Sequence, residues 1–234
     1  MESVAPLSPK PFPELLAQFR AAPRSLLNAG VYLYDKPSGI TSHDVVARVK
    51  RQRGWKKVGH GGTLDPLATG LLVILVDGAT RLFDALHEFD KEYLADFRLG
   101  LRTDSQDITG KIIAETAAFT VRREQAAQAL RPLHGEILQV PPMFSALKQQ
   151  GRKLVDLARR GIAVERAPRP VKITVLELLH FDGRDGRLRV AAGKGFYART
   201  LIDDFGTALG VGATLTALRR TRVAMFGVEE AIPF

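Results

Sequence analysis

Lys91-Glu92-Tyr93-Leu94-Ala95-Asp96-Phe97-Arg98-Leu99-Gly100 alternates with a period of two. Tyr93, Ala95, Phe97 and Leu99 fall on one face, and Glu92, Asp96 and Arg98 on the other. That is the pattern of a strand with one buried and one solvated face, the habit of antiparallel sheets. After the turn-rich stretch from Thr103 to Gly110, Lys111 to Ala114 is placed to pair back on it. Upstream, Leu71 to Val76 is apolar at every position, as in a strand covered on both faces. Val31–Tyr34, Val171–Phe181, Arg187–Ala192 and Arg222–Phe226 also read as strands. Helices are predicted over the residues after Ser42, which caps a turn carrying Val45, Val46 and Val49 on one face. Others cover Ala79–Leu86, Arg122–Leu130 with Thr120 as cap, Leu154–Arg160 stopped by Gly161, and Tyr197–Leu209 with a break at Gly206. Strands and helices do not alternate strictly, and short turns join several strand pairs. The expected class is α+β, a mixed, largely antiparallel sheet flanked by helices, rather than a doubly wound fold.

Residues 1–28 read as an N-terminal extension broken by Pro6, Pro9, Pro11, Pro13 and Pro23, with a short helix only at Glu14–Phe19. Residues 29–234 show no repeat and no internal linker, so one domain is expected there. The chain has 234 residues, 45% apolar and 25% charged, a globular composition. It has no cysteine, which excludes disulfides, thiolate metal sites and cysteine nucleophiles. No apolar run approaches the roughly 18 residues of a membrane span. No secretory-type apolar segment opens the sequence, so a soluble, cytoplasmic protein is expected. With 34 Lys and Arg against 25 Asp and Glu, the net charge is +9. A polyanionic partner, nucleic acid first, suits that excess.

Several familiar sites fail on spacing. Gly59-His60-Gly61-Gly62-Thr63 lacks the Gly-Lys-Ser/Thr ending of a phosphate-binding loop, and no strand leads into it as a dinucleotide site requires. Asp104 and Asp107 lack the further ligands of a calcium loop. Asp203 and Asp204 are neighbours on a helix and point about 100° apart. The histidines show no zinc-protease spacing. No metal or cofactor site is expected.

The chemically suggestive stretch is Lys57-Val58-Gly59-His60-Gly61-Gly62-Thr63-Leu64-Asp65-Pro66-Leu67-Ala68-Thr69-Gly70. It reads as a flexible glycine loop ending in a carboxylate and running into a buried strand. Glycines admit close approach of a large ligand, and a fixed carboxylate serves as nucleophile or base. Asp-Pro is equally ordinary turn chemistry. This stretch resembles the GH-x-G-x-LDP-x-ATG run of the TruB family of pseudouridine synthases. Asp35-Lys36-Pro37-Ser38-Gly39-Ile40-Thr41-Ser42 resembles the family's DKPxGxTS. Lys91-Glu92-Tyr93 with Leu99-Gly100 and Thr103-Asp104 resembles K-x-Y…LG…TD. Val140-Pro141-Pro142-Met143-Phe144-Ser145-Ala146-Leu147-Lys148 is similar to PPxFSAxK. Gly195-Phe196-Tyr197-Ala198-Arg199-Thr200-Leu201 with Asp204-Phe205-Gly206 is similar to G-x-YIR-x-L-x-x-DLG. The five motifs keep the family's order across about residues 30–226. The chain departs at Gly61, where the family often has Thr, and at Phe196 and Ala198.

The resemblance implies a pseudouridine synthase catalytic fold and the isomerisation of uridine 55 in the T-arm of tRNA, without a cofactor. It implies Asp65 as the catalytic aspartate, either attacking the anomeric carbon or assisting a glycal-forming proton transfer. Tyr93 would stack on the flipped uracil, and Arg199 would pair with Asp65 and hold it ionised. Tyr197 and Leu218 would line the uracil pocket. His60 would pack where the flipped base has left, and Lys36 and Gly62 would join the substrate-binding set. Extrusion of a base costs a few kcal/mol. Three basic groups are placed to offset it through phosphate contacts: Lys50, Arg51, Arg53, Lys56 and Lys57; Lys148, Arg152, Lys153, Arg159 and Arg160; and Arg219, Arg220 and Arg222. The segment around 141–165 corresponds to a thumb that grips the RNA arm, with Gly151 and Gly161 as hinges. The small C-terminal RNA-binding domain of PUA type found in bacterial members is not expected in this sequence. A monomer with no obligatory protein partner is expected. A non-catalytic RNA-folding chaperone and a guide-dependent ribosomal RNA modifier are the rival readings; intact Asp65, Tyr93 and Arg199 argue against the first.

Overall fold

The computed structural model describes residues 12–149 and 151–234, so the prolines at 6, 9 and 11 lie outside the described residues. Its helices are α1 (Phe12–Ala21), α2 (Ser42–Arg53), α3 (Phe83–Glu88), α4 (Arg123–Leu130), α5 (Leu154–Arg159) and α6 (Ala198–Ala208). Its strands are β1 (Val31–Lys36), β2 (Val58–His60), β3 (Thr69–Val76), β4 (Lys91–Leu99), β5 (Leu101–Thr103), β6 (Ile112–Glu115) and β7 (Gly135–Gln139). They continue as β8 (Lys148–Gln149), β9 (Arg152–Lys153), β10 (Arg169–Phe181), β11 (Asp185–Ala192), β12 (Ala213–Val223), β13 (Phe226–Gly227) and β14 (Ile232–Pro233). The described residues form two compact units, one of residues up to Tyr93 plus Arg219–Phe234, the other Leu94–Leu218. The division falls inside β4 and β12 rather than at a linker. The fold is α+β, with a mixed, largely antiparallel sheet flanked by helices, as expected.

The first unit is organised by β3. Its neighbours run β14-β1-β3-β12, with β2 also on β3 and β13 on β12. β1 and β3 pair antiparallel from Val31↔Leu75 to Lys36↔Gly70. β12 joins β3 in parallel through Arg219↔Thr69 and Arg220↔Gly70. The uninterrupted apolar run now has its explanation, because alternate residues feed two cores. Leu71, Val73 and Leu75 pack with Phe19, Leu26, Leu82, Leu86 and Phe226. Leu72, Ile74 and Val76 pack with Tyr34, Val45, Val46 and Val49 of α2. The segment from Phe12 onward therefore enters the core, since Phe19 and Leu26 are fully buried.

The helix after residue 41 is capped by Thr41, not Ser42. Thr41 Oγ1 accepts from the Asp44 amide at 3.0 Å and Asp44 Oδ2 accepts from the Thr41 amide at 2.8 Å, a capping box. Ser42 is freed for another task at the site. The acidic Asp44 in the first turn and Lys50, Arg51 and Arg53 in the last suit the helix dipole.

In the second unit the strand order is β12-β4-β11-β10-β7. Ala95, Phe97 and Leu99 are buried as the alternation requires. Phe97 meets Phe205 of α6 edge-on at 5.3 Å. Three sequence expectations change here. Ile112–Glu115 pairs with β5, not with Lys91–Gly100, because Gly100 (φ +80°) turns the chain before the hairpin begins. The helix at 123–130 is capped from Arg122, whose amide donates to Gln125 Oε1 at 2.9 Å, not from Thr120. α6 runs through Gly206 without a break. That glycine serves closeness: its carbonyl accepts from the Gly212 amide at 2.9 Å, and a Cβ would meet the returning backbone of Gly212 and Ala213. The largest omission is β12, read only from Arg222 but beginning at Ala213, with β2, β5, β7, β8, β9 and β14 also unread; β2 is a short strand that runs into the glycine loop, where none was expected. Among the described residues no helix is long and apolar enough to cross a membrane.

Candidate active site

The glycine loop, expected to be flexible, is tied along its length. Gly61 N–H donates to Val73 O at 2.8 Å, and Ala68 N–H to Asp65 O at 3.0 Å. Ser42 Oγ accepts from the Leu64 amide at 2.8 Å and donates to the Leu64 carbonyl at 3.1 Å. One buried hydroxyl thus satisfies both backbone groups of the residue before Asp65. Pro66 O accepts from Gly39 N–H at 2.8 Å and from Lys36 Nζ at 3.3 Å. Leu67 O accepts from Ser38 Oγ at 3.0 Å. The Asp35–Ser42 segment therefore supplies the ties of the 59–70 loop, which gives the two motifs one physical purpose. Ser42→Ala leaves the buried Leu64 amide without this partner. An expected loss of about 1–3 kcal/mol is to be read from chemical unfolding, and a loss below about 0.3 kcal/mol would refute the role.

The Gly61 departure is steric. A Cβ at this position would lie 2.7 Å from Leu86 Cδ1, so Leu86 of α3 occupies the space a threonine would need.

Among the described residues this unit buries three cations, two of which, Lys36 and Arg220, bond the loop. Lys36 is fully buried, and Nζ donates to Pro37 O at 2.8 Å and Ile40 O at 2.7 Å besides Pro66 O. Burial pulls its pKa down from 10.5 to about 8; Asp65 opposes that, Arg220 adds to it, and Asp44 opposes it. Lys91 is also buried and donates to His87 O at 2.7 Å and Phe89 O at 2.6 Å. Burial, then the Arg220 charge, lowers its pKa to about 8. In the unfolded chain both ammonium groups titrate near 10.5. Between pH 8 and 10.5 the unfolded chain therefore binds more protons, and this contribution to stability rises with pH. The wild-type advantage in unfolding free energy over Lys36→Met is expected to grow from pH 7.5 to pH 10; a shrinking advantage would contradict it.

Arg220 is the third cation. It is 2% exposed, and its guanidinium donates to Leu71 O at 2.7 Å, Gly62 O at 3.1 Å and Thr63 O at 3.3 Å. The Tyr93 side chain hydrogen-bonds to it as well. The expected third phosphate-tracking group is corrected here. Arg220 is withdrawn behind the loop, and Arg219 pairs with Asp35, Nη2 to Oδ2 at 2.6 Å. Only Arg222 of the three is exposed. Adjacent strand residues face opposite ways, so recognising β12 as a strand would have shown that Arg219 and Arg220 cannot share a surface.

His60 and Tyr93 are half-buried in the same unit. The Gly62 amide donates to His60 Nδ1 at 3.3 Å, which requires the neutral ring to carry its proton on Nε2. Burial, then the positive charges of Arg220 and His43, pushes the imidazole pKa down. Its neutral form is thereby favoured at neutral pH. Asp65 is half-buried. Gly62 has φ +141°, a conformation that suits glycine and turns its carbonyl to Arg220.

The second unit holds Tyr197, Arg199 and Leu218. Arg199 is 3% exposed. Nη1 donates to Ser105 O at 3.1 Å, Nη2 to Phe144 O at 2.8 Å, and Nε lies 3.9 Å from Asp107 Oδ2. Asp107, which the sequence suggests only as a poor calcium ligand, folds its own turn. It accepts from Thr109 N at 3.0 Å and Ser105 Oγ at 2.9 Å. Asp203 pairs with Arg102 at 2.8 Å. Gln139, buried in β7, clamps the Tyr197 backbone. Its Nε2 donates to Tyr197 O at 3.3 Å, and its Oε1 accepts from Tyr197 N at 3.1 Å. Gln139 carries no motif signal, so the sequence did not reveal it. Leu218 is buried. The basic residues of the 50–57 run are exposed in the first unit, and Lys148, Arg152, Lys153, Arg159 and Arg160 are exposed in the second.

The family model described as TruB family pseudouridylate synthase, N-terminal domain, matches residues 50–198. That of the tRNA pseudouridylate synthase B C-terminal domain matches residues 199–233. The protein named tRNA pseudouridine synthase B of Endomicrobium trichonymphae is 45% identical over 205 residues, covering 88% of this chain and 89% of that relative. Its namesake from Aromatoleum aromaticum is 50% identical over 203 residues, covering 87% of this chain but 66% of the relative. Among solved structures, a chain from a Cbf5-Nop10-Gar1 complex is 34% identical with a TM-score of 0.68, covering 96% of this chain and 55% of that one. On these matches, and on the loop that holds Asp65, this chain belongs to the TruB family of pseudouridylate synthases, which are isomerases.

Proposed function

We propose that the protein converts uridine 55 in the T-arm of tRNA to pseudouridine. The observation that carries this reading is the fixed placement of Asp65: a loop tied by Ser38, Gly39, Ser42, Lys36 and Arg220 holds one carboxylate beside buried positive charge. The names of the relatives support tRNA as substrate. The reaction breaks the bond from uracil N1 to ribose C1′, turns the base, and forms the bond from C5 to C1′. The proton lost from C5 is balanced by one gained at N1, so no net oxidant or water is consumed and no cofactor is invoked. Asp65 either attacks C1′ or removes the C2′ proton to give a glycal. Deuterium at C2′ separates the routes, because only the second breaks that C–H bond. Tyr93 is assigned to stack on the flipped uracil, with Tyr197 and Leu218 assigned to its pocket and Arg199 to pairing with the carboxylate. His60 and Gly62 complete the binding set, while Lys36, fully buried with its ammonium on the Pro37, Ile40 and Pro66 carbonyls, serves it by holding the loop rather than by touching the RNA.

The test is mass-spectrometric mapping of pseudouridine in one unmodified tRNA transcript after incubation with the protein. Conversion at position 55 alone is expected; conversion elsewhere or none refutes the reading. The exposed basic residues of the thumb segment, 141–165, are assigned to phosphates. Arg159→Ala with Arg160→Ala is expected to weaken tRNA binding and to flatten its logarithmic salt dependence by about 0.7–0.9 for each phosphate no longer neutralised. An unchanged slope would remove them from the interface.

A further inference from the structure

Arg220 occupies a position that a core arginine rarely takes. Its guanidinium is buried, yet its acceptors among the carbonyls are all neutral: Gly62, Thr63 and Leu71. Two of these belong to the glycine loop immediately before Asp65, and the third to the strand that follows it. A neutral side chain of similar length cannot present the guanidinium's planar fork of five N–H donors. A simple packing role would be met more cheaply by an apolar residue. The same guanidinium hydrogen-bonds the Tyr93 side chain, and its charge is felt at Lys36, Lys91 and His60. The sequence places it in register: β12 lies parallel to β3 with Arg220 opposite Gly70, so the side chain leaves the sheet beside the loop that Gly70 closes. A Cβ on Gly62 would lie in van der Waals contact with Arg220 Nη1, at 3.5 Å, so the loop backbone packs directly against the guanidinium.

We propose that Arg220 is a positioning residue that locks the Asp65 loop and the Tyr93 ring into one rigid unit. It touches neither substrate nor reacting atoms. Through the Gly62 and Thr63 carbonyls it fixes the backbone leading to the carboxylate, and through the phenol it fixes the plane on which the uracil stacks. This deepens the proposed function and rests on it for the meaning of turnover, while the anchoring of the loop carbonyls stands on geometry alone.

The experiment compares wild type with Arg220→Lys, Tyr93→Phe and the double variant on one tRNA transcript at one salt concentration. Hydrogen exchange of the 57–70 segment is followed in the same proteins. An ammonium keeps the charge but cannot reach three carbonyls and a phenol together. Arg220→Lys is expected to lower kcat at least tenfold with KM within threefold, and to speed exchange in 57–70. In the Tyr93→Phe background the same substitution is expected to cost at least threefold less, because the shared bond is already gone. A general packing defect would lower the folded fraction without producing that coupling. If Arg220→Lys does not fold, Tyr93→Phe alone carries the test: faster exchange in 57–70 is expected, and unchanged exchange overturns the proposal. Where Arg220→Lys folds, a rise in KM at constant kcat, unchanged exchange, or full additivity overturns it. Wild-type protein that turns over no tRNA would sink the proposed function instead, and the exchange comparison would then decide the anchor by itself.

Discussion

Asp65→Ala is expected to reduce pseudouridine formation by at least a thousandfold, about 4 kcal/mol of transition-state stabilisation, while tRNA binding stays within a few-fold of wild type. The carboxylate is the single acidic group of the 57–70 loop, and the loop around it is held by backbone hydrogen bonds that do not use its side chain. Removing the side chain therefore leaves the ties from Ser42, Ser38, Gly39 and Arg220 in place. The exposed lysines and arginines proposed to meet phosphates are also unaffected. One side effect follows from charge. Asp65 partly offsets the cost of burying Lys36, so the variant loses some stability near neutral pH, where the Lys36 ammonium is charged. Asp65→Asn, with the same shape, is expected to be equally inactive. Single-turnover conversion and filter binding on the same transcript give both readouts. Turnover by Asp65→Ala within tenfold of wild type would remove this residue from the chemistry.

Much of this site was legible because motif and strand periodicity coincide. The Leu71–Val76 run, the Lys91–Leu99 alternation and the Val45, Val46, Val49 face each announced an element through burial alone, and each positions a motif residue. Tyr93 is legible as a strand residue and Asp65 as the end of a loop. What stayed hidden depends on partners distant in sequence. Arg220 looked like one member of a basic cluster because nothing local marks a charge as buried; its acceptors lie about 150 residues away. Ser42 looked like a helix cap, since serine before an apolar helix face usually is one. The true cap lies one residue earlier, and only the fold shows that the spare hydroxyl reaches Leu64. Gln139 and Asp107 act on Tyr197 and Arg199 through backbone and turn geometry, which residue types do not encode. Ala213–Leu218 escaped notice because Ala, Thr and Leu in short alternation give a weak strand signal.

Gly70→Ala is expected to cost at least about 3 kcal/mol of stability and to abolish detectable turnover. Two penalties act at one residue. Gly70 has φ +100°, a backbone region where an alanine pays roughly 1–2 kcal/mol that glycine does not. Its missing Cβ is also where β12 comes closest. An added methyl would lie 2.8 Å from the Arg220 amide nitrogen and closer still to the Arg220 carbonyl oxygen. Both are backbone atoms held by the β3–β12 register, so neither can step aside without opening the Arg220↔Gly70 pairing. Such overpacking ordinarily costs about 1–3 kcal/mol more. Opening that pairing also withdraws the guanidinium from Gly62, Thr63 and Tyr93, so activity falls further than stability alone dictates. The measurement is urea unfolding followed by turnover at a temperature where the variant remains folded. Arg219→Ala, on the same strand but outside the close approach, serves as the control. Its loss is the Asp35 pair, 40% and 31% exposed, with a long contact to Thr69 Oγ1 at 3.5 Å, worth about 1 kcal/mol or less. If Gly70→Ala loses no more stability than Arg219→Ala, the close approach of β12 to β3 is not what the glycine provides. The terminal glycine of the loop motif would then owe its place to the turn alone.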